Sequence, residues 1–208
     1  MTNARKSRQA TAEKAARLRA EQAARDRRRR IGLIATSFVV VLALAGGLTV
    51  FFMNANKPKS TDSLTGVQTF TGLSRNHVTT KVTYPQTPPV GGDHNPTWLN
   101  CGIYTSPVPN ENAVHDLEHG AVWITYQPTL AAADIAKLTS VVKGQTYLDL
   151  SPYPGLPAPV VASAWGKQLK LTGASDPRLE AFIKKYKQGP QTPEPGAACT
   201  GGTGTPNG

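Results

Sequence analysis

Ile31 to Met53 is a run of 23 positions without a charged residue and with mostly apolar side chains. As a helix rising 1.5 Å per residue, it is long enough to cross a hydrocarbon core of about 30 Å. Beyond it the pattern shortens and alternates. Val78–Tyr84 (VTTKVTY) is rich in β-branched residues and reads as a strand, and Ala121–Tyr126 (AVWITY) reads as a buried strand. Between them a short helix is predicted to run to His119, with Asn110 or Asn112 as its cap and Gly120 as the left-handed residue that ends it. Leu130–Val142 carries Ile135, Leu138, Val141 and Val142 on one helical stripe, with Thr129 as N-cap and Gly144 after the end.

Tyr147–Leu150 reads as a short strand. Ala158–Trp165 and Gln168–Thr172 flank Gly166-Lys167, the two-residue connection of a type II′ hairpin with Gly first. The last helix has the plainest signature: Asp176 as cap, Pro177 in the first turn, and Leu179, Phe182, Ile183 and Tyr186 at helical spacing. The order strand, helix, strand, helix, strand, hairpin, helix predicts an α+β fold with a mixed β-sheet and flanking helices, preceded by one transmembrane helix. Residues 121–150 would form its right-handed parallel crossover.

Charge divides the chain further. Residues 1–30 hold eleven of the 23 Lys and Arg against Glu13, Glu21 and Asp26, a local charge of +8 out of the total +10. A basic cluster directly before an apolar run marks the cytoplasmic end of a span. We therefore expect a cytoplasmic leader (1–30), a transmembrane helix (31–53), a stalk (54–65), an extracytoplasmic domain (66–189) and a Pro/Gly-rich tail (190–208). The expectation is a single-pass plasma-membrane protein, N-terminus cytoplasmic, with the lipid bilayer as its first partner. Ala43-Leu44-Ala45 offers a signal-peptidase site, but the apolar run continues to Met53 and favours an uncleaved anchor. No aromatic residue interleaves the basic leader, so nucleic acid is not an expected partner.

The candidate chemistry is concentrated. All four histidines fall between His77 and His119, and His115-Asp116-Leu117-Glu118-His119 has the pattern HxxEH. Positions i, i+3 and i+4 share one helical face, so His115, Glu118 and His119 would point the same way. His94 and His77 lie upstream in a segment rich in Pro, Gly and Asn that can fold back toward them. The two cysteines, Cys101 and Cys199, suit a disulfide in an oxidising exterior; the alternative makes Cys101 a thiolate ligand.

Tyr84, Pro88-Pro89-Val90-Gly91-Gly92-Asp93-His94-Asn95, Gly102-Ile103-Tyr104, Pro107-Val108-Pro109, His115 to Gly120 and Ala164-Trp165-Gly166 form an ordered motif series. It resembles that of the domain of unknown function 3105 family, from about Arg75 to Lys187. The resemblance implies an extracytoplasmic, often membrane-anchored domain of Gram-positive-type bacteria. It implies no established activity, and it groups His77, His94, His115, Glu118 and His119 as one set.

Three functions follow. The first is binding of a transition metal, copper or zinc, by His94, His115 and His119, with Glu118 fourth or just behind them and His77 as a further member. A blue-copper centre does not fit, since no methionine follows Met53. The second is an accessory module docking on another membrane protein, with the histidines bonding only carboxylates and backbone. The third is hydrolysis, because HxxEH is the inverzincin zinc motif. That enzyme class needs a downstream ligand, and Glu180 and Glu194 look poorly placed for it. No GxSxG elbow or phosphate-cradling loop is present, and Trp98, Tyr104, Trp123, Tyr126 and Trp165 read as packing aromatics.

Overall fold

The computed structural model describes residues 64–207. The predicted leader and span, and the stalk up to residue 63, lie outside them. Among the described residues, no helix is long and apolar enough to cross a membrane. Five strands, β1 (Gln68–Thr69), β2 (Val122–Tyr126), β3 (Leu148–Pro152), β4 (Val160–Ala164) and β5 (Lys167–Leu171), form one sheet in the order β1-β5-β4-β2-β3. Three helices accompany it, α1 (Asn110–Glu118), α2 (Ala132–Val142) and α3 (Arg178–Tyr186). Strands β2 and β3 run parallel, in register from Val122↔Leu148 to Tyr126↔Pro152, and the remaining pairs are antiparallel. The sheet is thus mixed and the class α+β, as expected. A parallel pair needs a long crossover, and α2 supplies it.

Alternation along the strands splits their side chains between two buried faces. Val122, Ile124, Leu148, Leu150, Val160, Ala162, Leu169 and Leu171 pack with Leu138 and Val142 of α2 and with Leu179, Phe182, Ile183 and Tyr186 of α3. Each such side chain contributes about 1.5–3 kcal/mol by leaving water. The opposite face carries Trp123, Thr125, Asp149, Ser151, Ser163 and Gln168, all buried although five of the six are polar. Helix α1 packs here, and its Ala113, Val114 and Leu117 meet Leu99, Tyr104, Trp123 and Trp165 in a second apolar cluster.

Several local expectations change. Residues 78–84 form no strand: only His77 bridges His94, and the backbone bonds elsewhere, Val78 N–H to His94 C=O at 2.7 Å and Val82 N–H to Glu111 Oε1 at 3.0 Å. Its β-branched residues therefore lie in a loop held by these bonds. The β4–β5 turn comprises Trp165 and Gly166, since Ala164 pairs with Lys167. Gly therefore sits second, at φ 66°, where a Cβ would lie 2.7 Å from the Phe70 carbonyl oxygen. Helix α1 starts after Pro109 without a side-chain cap. Asn112 donates to the Thr97 carbonyl at 2.6 Å instead, while Gly120, at φ 98°, ends the helix as expected. Helix α2 likewise lacks a Thr129 cap and begins at Ala132.

The tail also does more than its composition suggests. Cys101 and Cys199 are bridged, 98 residues apart in sequence with Cα atoms 5.4 Å apart. Around that bridge the Cys101 N–H donates to the Cys199 carbonyl at 2.8 Å, Asn100 N–H to Thr203 C=O at 2.7 Å, and Thr203 N–H to Trp98 C=O at 2.9 Å. Thr192 and Cys199 are buried. Main-chain hydrogen bonds, which a side-chain pattern does not reveal, lay residues 190–207 against the domain as a strap.

Candidate metal centre

Helix α1 presents His115 and Glu118 beside the loop that carries His94, and residues 74–77 close over them. Two loop contacts set that closure. Asp93 Oδ1 accepts from Asn76 Nδ2 at 2.9 Å, and the His94 N–H donates to the Asn76 carbonyl at 3.0 Å. The rings of His77, His94 and His115 form a triangle with centroids 4.9, 5.0 and 4.8 Å apart. One ligand atom from each of His77, His94, His115 and Glu118 lies within 4.8 Å of the other three. His94, His115 and Glu118 are buried, and the His77 side chain is 49% exposed.

Hydrogen bonding fixes which ring nitrogen is free. His94 Nδ1 lies 2.8 Å from the Gly92 carbonyl oxygen and His115 Nδ1 lies 2.6 Å from that of Asn95. A carbonyl only accepts, so each Nδ1 carries the proton, and in the neutral ring Nε2 is left as a bare lone pair. Burial pushes the His115 imidazole down to about 4, with the neighbouring His119, His94 and His77 adding to the effect against the Asn95 bond. It is neutral at physiological pH. His94 Nε2 lies 2.9 Å from Glu118 Oε2, and both atoms are buried without a hydrogen-bond partner. The contact is short, but its geometry is not that of a hydrogen bond.

His119 stands outside this group of four. Its ring is 4.4 Å from that of His115, but its Nδ1 bonds the Ala198 carbonyl of the strap at 2.6 Å, and its Nε2 is 3.8 Å from Glu194 Oε2. Positions i and i+4 do share a helical face, yet His119 is already the cap residue of α1 and turns to the strap. His77, ranked last in sequence, takes the place expected of His119. Glu194 proves to be held at the site, its N–H on the Glu118 carbonyl at 3.0 Å, whereas Glu180 is an exposed residue of α3.

Residues 77–201 match the model of a family described as protein of unknown function (DUF3105). The chain belongs to that family. Comparison with curated proteins and with solved structures yields no match. The DUF3105 region takes in His77, His94, His115 and Glu118 as well as both cysteines, so the cluster and the disulfide are parts of one family domain.

A second constellation in the DUF3105 domain was not anticipated. Asp116 and Asp149 are both fully buried, and together with Cys101 they bring three potential ligand atoms within 4.8 Å of one another. Asp149 Oδ1 accepts the Gly102 N–H at 3.1 Å, its Oδ2 lies 4.0 Å from Cys101 Sγ, and the Asp116 carboxyl sits against that of Asp149, where the two can share one proton. Burial raises both carboxyls, Asp149 to about 7, and the charge of Asp149 pushes Asp116 up further. The signal was available: an Asp between Leu148 and Leu150 breaks an otherwise apolar strand.

Proposed function

We propose that this protein is a membrane-anchored, extracytoplasmic metal-binding protein that holds one copper or zinc ion through His77, His94, His115 and Glu118. The single observation that carries the metal reading is the 2.9 Å approach of His94 Nε2 to Glu118 Oε2. In the neutral ring, that nitrogen and a carboxylate oxygen repel when buried together without a donor between them. A cation shared by both removes that repulsion, and the backbone carbonyls behind His94 and His115 orient their rings as ligands usually are oriented. Three imidazoles and one carboxylate suit copper or zinc, and such an ion supplies a fixed positive charge and, where a coordination position stays open, a Lewis acid. Half-exposed His77 forms the solvent side of the group.

The accessory-module reading predicts histidines whose hydrogen bonds are all satisfied, and the orphaned pair argues against it. The HxxEH hydrolase reading needs His115 and His119 on one ion with Glu118 free to activate water. It has less support, because Glu118 lies among the grouped atoms and His119 does not. Anchoring rests on the +8 leader before the uncharged run.

Calorimetric titration of the metal-free full chain in detergent with zinc and with copper is expected to show one tight site. Absence of binding for both ions to a folded chain would return the accessory reading to the front. For the topology, alkaline phosphatase fused after Gly208 is expected to be active and a fusion ahead of Ile31 inactive; the reverse pattern overturns the orientation.

A further inference from the structure

His119 stands just outside the four grouped residues, yet its ring is oriented as those of His94 and His115 are. Its Nδ1 lies 2.6 Å from a main-chain carbonyl, that of Ala198, so Nε2 is the nitrogen left to an ion. Glu194 Oε2 faces that Nε2 at 3.8 Å, too far for a hydrogen bond. Two metal bonds of about 2.1 Å span up to about 4 Å, so one ion can reach both atoms. The Glu194 side chain is 53% exposed and that of His119 only 5%, and the pair therefore leads inward from solvent. The next ring is that of His115, a member of the four, 4.4 Å from His119 between centroids. Trp98 stands beside both rings, at 5.4 Å from His119 and 5.9 Å from His115.

The strap builds this edge of the centre. Glu194 is held by its N–H on the Glu118 carbonyl at 3.0 Å, and Trp98 Nε1 donates to the Thr200 carbonyl at 3.2 Å. His94, His115 and Glu118 are buried, so an ion must pass a side chain at the rim to reach them. On the loop side the rim residue, His77, is itself one of the four. The strap side adds two ligand atoms that are not.

We propose that His119 Nε2 and Glu194 Oε2 form an outer, transient cation position through which copper or zinc passes to and from the site of His77, His94, His115 and Glu118. This rests on the metal reading above. The exposed carboxylate attracts the dication and displaces a first water from it. His119 Nε2 displaces a second, and His115 then takes the ion over as the outer bonds are released. Each exchange swaps one bond to the ion for another, and nothing is oxidised or reduced. Two ligands hold an ion weakly and four hold it tightly, so the outer position contributes rate and the inner one affinity.

The test compares the metal-free full chain in detergent with Glu194→Gln, an exposed substitution, and His119→Phe, which keeps a ring. Zinc and copper(II) are the probes. Loading is followed by stopped-flow tryptophan fluorescence, and unloading by excess chelator at concentrations where the rate no longer depends on it. Each variant is expected to load and unload about tenfold more slowly with its equilibrium affinity unchanged, and the double variant to be no slower than the single ones, since one path is lost only once. Natural rates in both variants would overturn the proposal. So would slower loading with natural unloading, the mark of general attraction, or a loss of affinity as large as that of His94→Ala, the mark of an inner ligand. If the natural chain takes up neither ion in equilibrium titration, the four-residue site itself falls and the outer position with it.

Discussion

The two faces of the sheet are buried equally and built differently. Toward α2 and α3, the strands present Val, Ile, Leu and Ala, with Tyr126 as the one polar-tipped side chain they add to this cluster. Toward α1 and the strap, the same strands present Thr125, Asp149, Ser151, Ser163 and Gln168, each buried. Most are satisfied locally: Trp123 Nε1 donates to Ser151 Oγ at 2.9 Å, Thr125 Oγ1 to the Val161 carbonyl at 3.1 Å, and Gln168 Nε2 to the Pro88 carbonyl at 2.8 Å. Among the described residues, buried atoms left without a donor occur on Gln86, His94, Asp116, Glu118 and Gln191, and those of His94, Asp116 and Glu118 fall in the two constellations described above. One face thus provides stability by area. The other spends some of it on groups whose placement only chemistry explains.

If that division is right, damage to each face should read out differently. The largest effect is expected from Phe182→Ala on the apolar face, where the ring is fully buried. Thermal or denaturant unfolding should show a loss of about 3–5 kcal/mol, while metal affinity measured well below the transition stays unchanged. A matching loss of affinity would break the comparison. His94→Ala should do the converse, lowering copper or zinc affinity about a hundredfold or more in calorimetry, because the ligand itself is removed rather than a group that supports it.

The carboxyl pair offers a test by pH. Asp149 has its folded value raised to about 7, so the folded state holds a proton that the unfolded state releases above its ordinary value of 3.8. Its contribution is therefore fully present below about pH 4 and is lost as pH rises toward 7. Natural protein should lose on the order of a few kcal/mol between those limits from this group, and Asp149→Asn should lose less across the same interval. Parallel stability curves for the two proteins would mean that the carboxyl is not held protonated. The smallest effect is expected from His77→Ala. Its half-exposed ring is the least confined of the four, and an affinity loss of about tenfold would place it as a supplementary ligand. An effect as large as that of His94→Ala would instead show the four residues acting as one closed set.

Much of the apolar face was legible in the sequence, because burying a helical stripe against an alternating strand leaves a pattern in hydrophobicity alone. Leu179, Phe182, Ile183 and Tyr186 announced α3, and Ala121–Tyr126 announced β2. The misreadings fall on caps, turns and loops. Val78–Tyr84 has strand composition but pairs with no strand, and composition does not say whether a segment finds a pairing partner. The hairpin moved by one residue because Gly166 is required by the approach of Phe70, a contact nearly a hundred positions away.

By itself the sequence determined the class of fold, the residues of the apolar core and the short list from which a metal site must be drawn, since each depends on local spacing or on residue type. Only the tertiary structure decided that His77 and not His119 joins His94, His115 and Glu118 within one small space. That choice turns on loop closure through Asn76 and Asp93 and on the Ala198 carbonyl claiming His119, contacts made across the fold by groups whose sequence neighbours carry no trace of them.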